Sequence, residues 1–341
     1  MCPIIPRSEQ LIHSISWQSE LSRAISNVND LLTYTGNCAD DIEGVDTGSP
    51  SFPLRVPRPY ADRIQQGNPN DPLLRQVLPL NVEQQPTPGY ISDPLDEATS
   101  NRLPGIIHKY HGRVLLILTG ACAINCRYCF RREFPYHENQ NSMAEWQQAL
   151  DYIRHNNSIT EVIYSGGDPL LNSDTKLQQL TRAIADIPHV KRLRIHTRLP
   201  VVIPQRISTE LLDWLTETHL QTIMVIHCNH ANEIDEQTEQ VLQRLRQHGV
   251  TLLNQSVLLK GVNDDPKTLI DLSERLFEVG VMPYYLHLLD KVQGAAHFDL
   301  DKTQARQLAG KIAAKLPGFL VPKLVFEQPG EVAKTALLPL L

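Results

Sequence analysis

From Arg113 onward the chain repeats one alternation: a short apolar run, then a stretch in which apolar residues recur every three or four positions. The runs are RVLLILTG (113–120), EVIYSGGD (161–168), RLRIHTR (192–198), TIMVIHCN (222–229), TLLNQSVLL (251–259) and MPYYLHLLD (282–290). Each has the length and composition of a strand, and their starts lie 48, 31, 30, 29 and 31 residues apart. The stretches between them read as helices. In SMAEWQQALDYIRH, Trp146, Ala149, Leu150 and Ile153 share one face, and Ser142 with Glu145 forms a capping box. A second helix, near 266–279, opens at Asp265-Pro266 and closes at Gly280. Six strand-helix units of near-constant length imply parallel strands with crossover helices. A closed eight-unit barrel takes about 250 residues, more than this region offers. The pattern therefore predicts an α/β fold built as an open (β/α)6 partial TIM barrel, with a doubly wound sheet as the alternative.

The flanks differ in texture. Residues 1–104 hold 13 of the 24 prolines and one amphipathic helix candidate, Trp17 to Leu32, which reads as an irregular extension wrapping the core. The core is expected over 105–300. A C-terminal segment, 301–341, carries one more helix (Ala305, Leu308, Ala309, Ile312, Ala313 and Leu316 at helical spacing) and then a strand within the extended KLVFEQPGEVAKTALLP.

Charge narrows the partner. A net charge of −6 and 32 scattered Lys and Arg residues oppose a nucleic-acid groove. The N-terminus lacks a signal-peptide run, and no stretch approaches the ~20 apolar residues of a membrane helix. The expectation is a cytoplasmic protein with a small-molecule partner, no nucleic acid and no membrane.

Six cysteines include a cluster, CAINCRYCFRREFPY, in which Cys122, Cys126 and Cys129 are spaced C-x3-C-x2-C after the first core strand. A structural zinc would add a fourth ligand, for which His137 is available. Three thiolates on a four-iron cluster instead leave one iron open for a substrate-like ligand. C-x3-C-x2-C followed by an aromatic resembles the radical S-adenosylmethionine (SAM) enzymes. That resemblance implies a 4Fe-4S cluster on the three cysteines, with SAM on the open iron as the source of a 5'-deoxyadenosyl radical. The second strand ends in SGGDP, where Gly166 and Gly167 would let backbone approach SAM and Asp168 would accept from its ammonium. His227, Cys228 and His230 in HCNH read as packing rather than a metal site; His196, His287 and His297 carry no separate role.

The resemblance narrows further. HKYHGRVLLILTGACAINCRYCFRREFPY, YSGGDPLL, RIHTRLPVVIPQRI, HCNHANEI, NQSVLLKGVND, PYYLHLLDKVQGAAHF and PGEVAK together resemble the lysine 2,3-aminomutase family. Members use pyridoxal phosphate (PLP), so the resemblance makes Lys334 in QPGEVAK the PLP lysine, which residues alone would leave as a solvated tail. It implies Arg131 as the clamp on a substrate carboxylate and Asp290 on the distal ammonium, with Arg132 as scaffold or solvent-facing. Glu327 stands where the family has a second aspartate. Lys109, Tyr110, Arg113, Asn254, Gln255 and Ser256 match positions around PLP. The implied reaction is a 2,3-amino shift on L-lysine, giving (R)-β-lysine, with a flavodoxin- or ferredoxin-like reductant. Because only seven residues follow Lys334, the chain resembles the short branch whose product serves elongation factor P and its lysyl-transferring ligase; a homo-oligomer is compatible with this. The competing readings are a radical SAM aminomutase for glutamate or arginine, and a non-enzymatic zinc or iron-sulfur protein.

Overall fold

The structure, a computed structural model, describes residues 16–48, 50–134 and 143–340. The capping box of Ser142 and Glu145, the candidate zinc ligand His137 and Cys2 lie outside the residues or side chains so described. Ten strands form one sheet in strict chain order. They are β1 (Asn101–Leu103), β2 (Ile106–Tyr110), β3 (Arg113–Ile117), β4 (Glu161–Ser165), β5 (Arg192–Thr197), β6 (Gln221–His227), β7 (Thr251–Val257), β8 (Met282–His287), β9 (Lys323–Phe326) and β10 (Thr335–Ala336).

All six expected strands are present, and β3 to β8 pair in parallel. Sequential order removes the doubly wound alternative, which would reverse direction at a switch point. Among the described residues the order runs from β1 to β10 without closing, so the fold is an open partial barrel. One expectation is corrected in number. The strand expected in the C-terminal segment joins the sheet as a seventh parallel member, β9, because Leu324 and Val325 bury themselves beside Leu286 and Val325 pairs with His287. This carries Glu327 and Lys334 back to the mouth of the barrel.

Helices Met143–His155, Asp174–Ala185, Thr209–Thr216, Glu236–Gln247 and Pro266–Glu278 form the crossovers. They start where the chemistry of the chain allows: Ser173, Ser208, Asp235 and Asp265 cap four of them through side-chain oxygens. Their apolar faces cover one side of the sheet, where Val114, Val162, Leu193, Ile195 and Met224 are wholly buried. Among the described residues no helix is long and apolar enough to cross a membrane.

The N-terminal extension differs from expectation at Trp17 to Leu32, which forms two short helices, Trp17–Ser22 and Val28–Tyr34. The break is at Ile25, whose backbone bridges Val56 in both directions (2.8 and 2.9 Å). Asn27 then caps the second helix by accepting from Asn29 and Asp30. The extension also grips the cysteine loop. Asn125 N donates to Arg55 O (3.0 Å), Asn125 Nδ2 to Pro53 O (2.9 Å) and Arg127 N to Gln76 O (2.9 Å). Glu83 accepts from Arg127 Nε (2.9 Å) and Arg132 Nη2 (3.0 Å), and Arg127 Nη1 reaches Phe52 O (2.8 Å). Arg132 is thus scaffold and not solvent-facing: its side chain is 3% exposed.

Glu83→Gln leaves two buried guanidinium groups with no carboxylate between them. The expected cost is roughly 3–5 kcal/mol, read as a lowered urea midpoint with unchanged slope.

Candidate active site

Inward-facing positions alternate along each strand, and here they surround a cavity of about 370 Å3 instead of a filled barrel centre. Its lining brings together Cys122, Cys126, Cys129, Lys109, Tyr110, Arg113, Arg131, Gly166, Gly167, Asp168, Gln255, Asp290, Glu327 and Lys334. Two expected residues are absent from that wall. Asn254 and Ser256 turn to the opposite face of β7, where Asn254 Oδ1 accepts from Cys228 N (2.9 Å) and Ser256 Oγ donates to Cys228 O (2.8 Å). The strand pleat permits only Gln255 of the three to meet a cofactor.

The three thiols occupy one short loop. Burial raises Cys122 and Cys129, the latter to about 11, and the neighbouring thiols add to both shifts. Among the described residues no group of three or more His, Cys, Asp or Glu side chains converges on a single-ion site; a cluster, whose cysteines attach to separate irons, does not require one. Several buried donors on the cavity wall have no hydrogen-bond partner among the described residues: Lys109 Nζ, His196 Nε2, Arg198 Nε and His287 Nε2. Buried polar groups are normally satisfied, so three thiols and these donors fit a cavity shaped for a 4Fe-4S cluster with anionic and heteroaromatic cofactors.

The SGGDP turn lines the cavity and also carries a structural role. A Cβ on Gly166 would lie 2.3 Å from Thr119 O, and one on Gly167 would lie 2.2 Å from Ala121 O. The glycines are required by the backbone that leads into the cysteine loop, which Gly167 N and Asp168 N hold through Thr119 O (2.7 Å) and Ala121 O (2.8 Å). The Asp168 carboxylate accepts from Thr197 Oγ1 (2.8 and 2.9 Å), Arg198 N (2.8 Å) and Leu170 N (3.1 Å). It ties the ends of β4 and β5 together, and a ligand ammonium would be a further donor to an already engaged group.

Arg131 is buried with its fork engaged. Nε and Nη2 donate to the two oxygens of Glu97 (2.7 Å each), while Nη1 donates to Ser165 Oγ (3.1 Å) and Gly166 O (3.3 Å). Glu97 was not anticipated, because it lies 34 residues away, at the start of the one-turn helix Glu97–Ser100. On the other side, Lys334 donates to Glu327 Oε1 and stands 5.7 Å over the Tyr285 ring. Its side chain is 21% exposed, which removes the reading of a solvated tail. Glu327 also accepts from Tyr110 Oη (3.0 Å) and lies 3.6 Å from Lys109 Nζ. Burial opposes its charge, but Lys334, then Lys109, hold its carboxyl down at about 2. Asp290 has no such surplus of cations: burial and the Glu327 charge push it up to about 7.

The histidines have more to do than the sequence suggested. His196, His227 and His287 all line the cavity, and Gln255 Nε2 meets His227 Nε2 at 3.0 Å. Burial lowers all three, His227 and His287 to about 3, so neutral imidazoles face the site. Arg194, Tyr285 and Leu115 were also missed. Period-two counting from Gln255 and Lys109 along neighbouring strands would have found them.

The radical SAM superfamily pattern matches residues 116–273. An L-lysine 2,3-aminomutase of Haemophilus influenzae is 50% identical over 332 residues, covering 97% of this chain and 98% of the relative. That of Escherichia coli is 49% identical over 322 residues, covering 94% of each. That of Clostridium subterminale is 35% identical over 324 residues, covering 95% of this chain and 78% of the relative.

Gly167→Ala forces Cβ into Ala121 O, and backbone cannot yield as a flexible side chain could. Iron and sulfide bound per chain after anaerobic reconstitution are expected to fall, together with the melting temperature. A second outcome concerns pH. Asp290 titrates at about 7 when folded against about 3.9 when unfolded, so its contribution to stability is fully present below about pH 4 and is lost as pH rises through 7. Thermal unfolding of the apoprotein should show Asp290→Asn gaining on the natural sequence between those limits, with no further gain above them.

Proposed function

Because the chain belongs to the L-lysine 2,3-aminomutase family of radical SAM proteins, we propose that it isomerises L-α-lysine to (R)-β-lysine by 2,3-amino migration. The observation that carries this reading is the sharing of one cavity by three thiols, the Arg131 guanidinium, the Asp290 and Glu327 carboxylates and the Lys334 amine. When bound, the cluster with SAM supplies a carbon radical, and PLP held covalently at Lys334 supplies a conjugated ring through which an amino group can migrate.

The remaining work belongs to side chains. Cys122, Cys126 and Cys129 hold the cluster and leave one iron for SAM. Lys109, Tyr110, Arg113 and Gln255 supply cations and donors toward PLP. Arg131 takes the substrate carboxylate, for which Glu97 must move aside or share the fork. The ε-ammonium goes to Asp290 and Glu327. Asp290 has a proton to release as that cation arrives, and Glu327 loses its present partner once Lys334 is engaged with PLP. Glutamate would bring a third carboxylate to this end and leave the pair without a cation, an arrangement that buried sites reject strongly. The walls exclude water from a reactive carbon centre.

A flavodoxin- or ferredoxin-like protein would deliver the electron. Elongation factor P, modified by a lysyl-transferring ligase in the cytoplasm, is the destination we assign to the product, on the resemblance of the motifs.

The reconstituted, reduced protein given SAM, PLP and L-lysine should form β-lysine, detected by derivatisation and mass spectrometry. Lys334→Ala should form none, and Asp290→Asn should raise KM for lysine roughly tenfold or more. Absence of β-lysine, with β-glutamate from glutamate or β-arginine from arginine, overturns the assignment.

A further inference from the structure

On the wall of the same cavity, a buried cation faces one of the three thiols. Arg198 follows β5 and is 5% exposed. Its Nη1 donates to Cys126 Sγ at 2.7 Å, while Nη2 donates to Gln76 Oε1 (2.7 Å) and Glu233 Oε2 (2.8 Å). Glu233 is wholly buried and its other oxygen accepts from Gln76 Nε2 (3.1 Å) and Asn229 N (2.9 Å). Asn229 Nδ2 in turn donates to Gln76 Oε1 (3.0 Å) and Tyr128 Oη (2.7 Å). The guanidinium is therefore held from three directions. Arg131 acts by charge on Cys122 and Cys129, and Arg132 on Cys129, but among the described residues Arg198 is the side-chain cation that donates a hydrogen bond to one of the three sulfurs.

We propose that Arg198 is a positioning residue that tunes the cluster: its charge and its N–H directed at the Cys126 sulfur stabilise the one-electron-reduced state. The inference rests on the 4Fe-4S reading of the three cysteines. One electron enters from an external reductant, the cluster gains one negative charge, and Arg198 neither takes up nor releases a proton. A cation hydrogen-bonded to a ligand sulfur favours the more negative state, and burial in low dielectric enlarges that preference. Gln76 extends the device into the N-terminal extension, which thereby reaches the cluster's surroundings without touching the iron.

The test is a redox titration followed by electron paramagnetic resonance, on clusters reconstituted in the full chain without lysine or PLP. Arg198→Gln should shift the midpoint to more negative potential. Arg198→Lys, which keeps the charge but loses the fork, should shift it the same way by less, and both should alter the spectrum of the reduced cluster. Iron per chain checks equal loading; if Arg198→Gln takes up no cluster, Arg198→Lys decides alone. Midpoints and spectra equal to those of the natural sequence overturn the proposal. The cluster reading fails separately, and takes the proposal with it, if the natural sequence binds no cluster at all.

Discussion

Everything at this site depends on holding an irregular stretch of backbone still. Residues 118–134 form neither helix nor strand, yet they must present three thiols to one cavity. Backbone polar groups in such a stretch need partners from elsewhere, and the barrel alone supplies too few. The extension provides the rest through carbonyls of Phe52, Pro53, Arg55 and Gln76, and through the Glu83 carboxylate between two guanidinium groups. Turns at Gly166 and Gly167 close the other side by backbone contact too tight for any side chain. The proline-rich third of the chain is in this sense part of the active site's foundation.

The sheet sets the second condition. Sequential parallel order puts the C-terminal ends of β3 to β9 around one opening, and the pleat sends alternate residues into it. The inner face surrounds a cavity where an ordinary barrel has a filled centre, and the apolar outer face carries the stabilising burial against the helices. Division of labour between the two faces lets charged groups such as Arg194, Arg131 and Glu327 collect in the interior without starving the core.

Much of this was legible from residues. The six core strands, the helix capped by Asp265 and the cysteine spacing are local signals, and each is present where periodicity or motif places it. The errors share a cause, which is distance along the chain. A bridge from Ile25 to Val56 splits what reads as one helix. Pairing with β8 makes the C-terminal strand a seventh member of a sheet expected to have six parallel strands. Asn254 and Ser256 look like cofactor contacts until the pleat is known. Glu97 and Arg198 had no local signature at all, since each gains its role from a partner more than thirty residues away.

The resting cavity is already neutralised from within. Arg131 is matched by Glu97, and Lys334 by Glu327. Under the proposed reaction, an entering lysine would not fill a charged void: its carboxylate would take the place of Glu97 on Arg131, and its distal ammonium would take the place at Glu327 that Lys334 gives up to the cofactor. A molecule with only one matching end would leave a stranded partner behind. Selectivity would then come from span, the site measuring length with charges instead of walls.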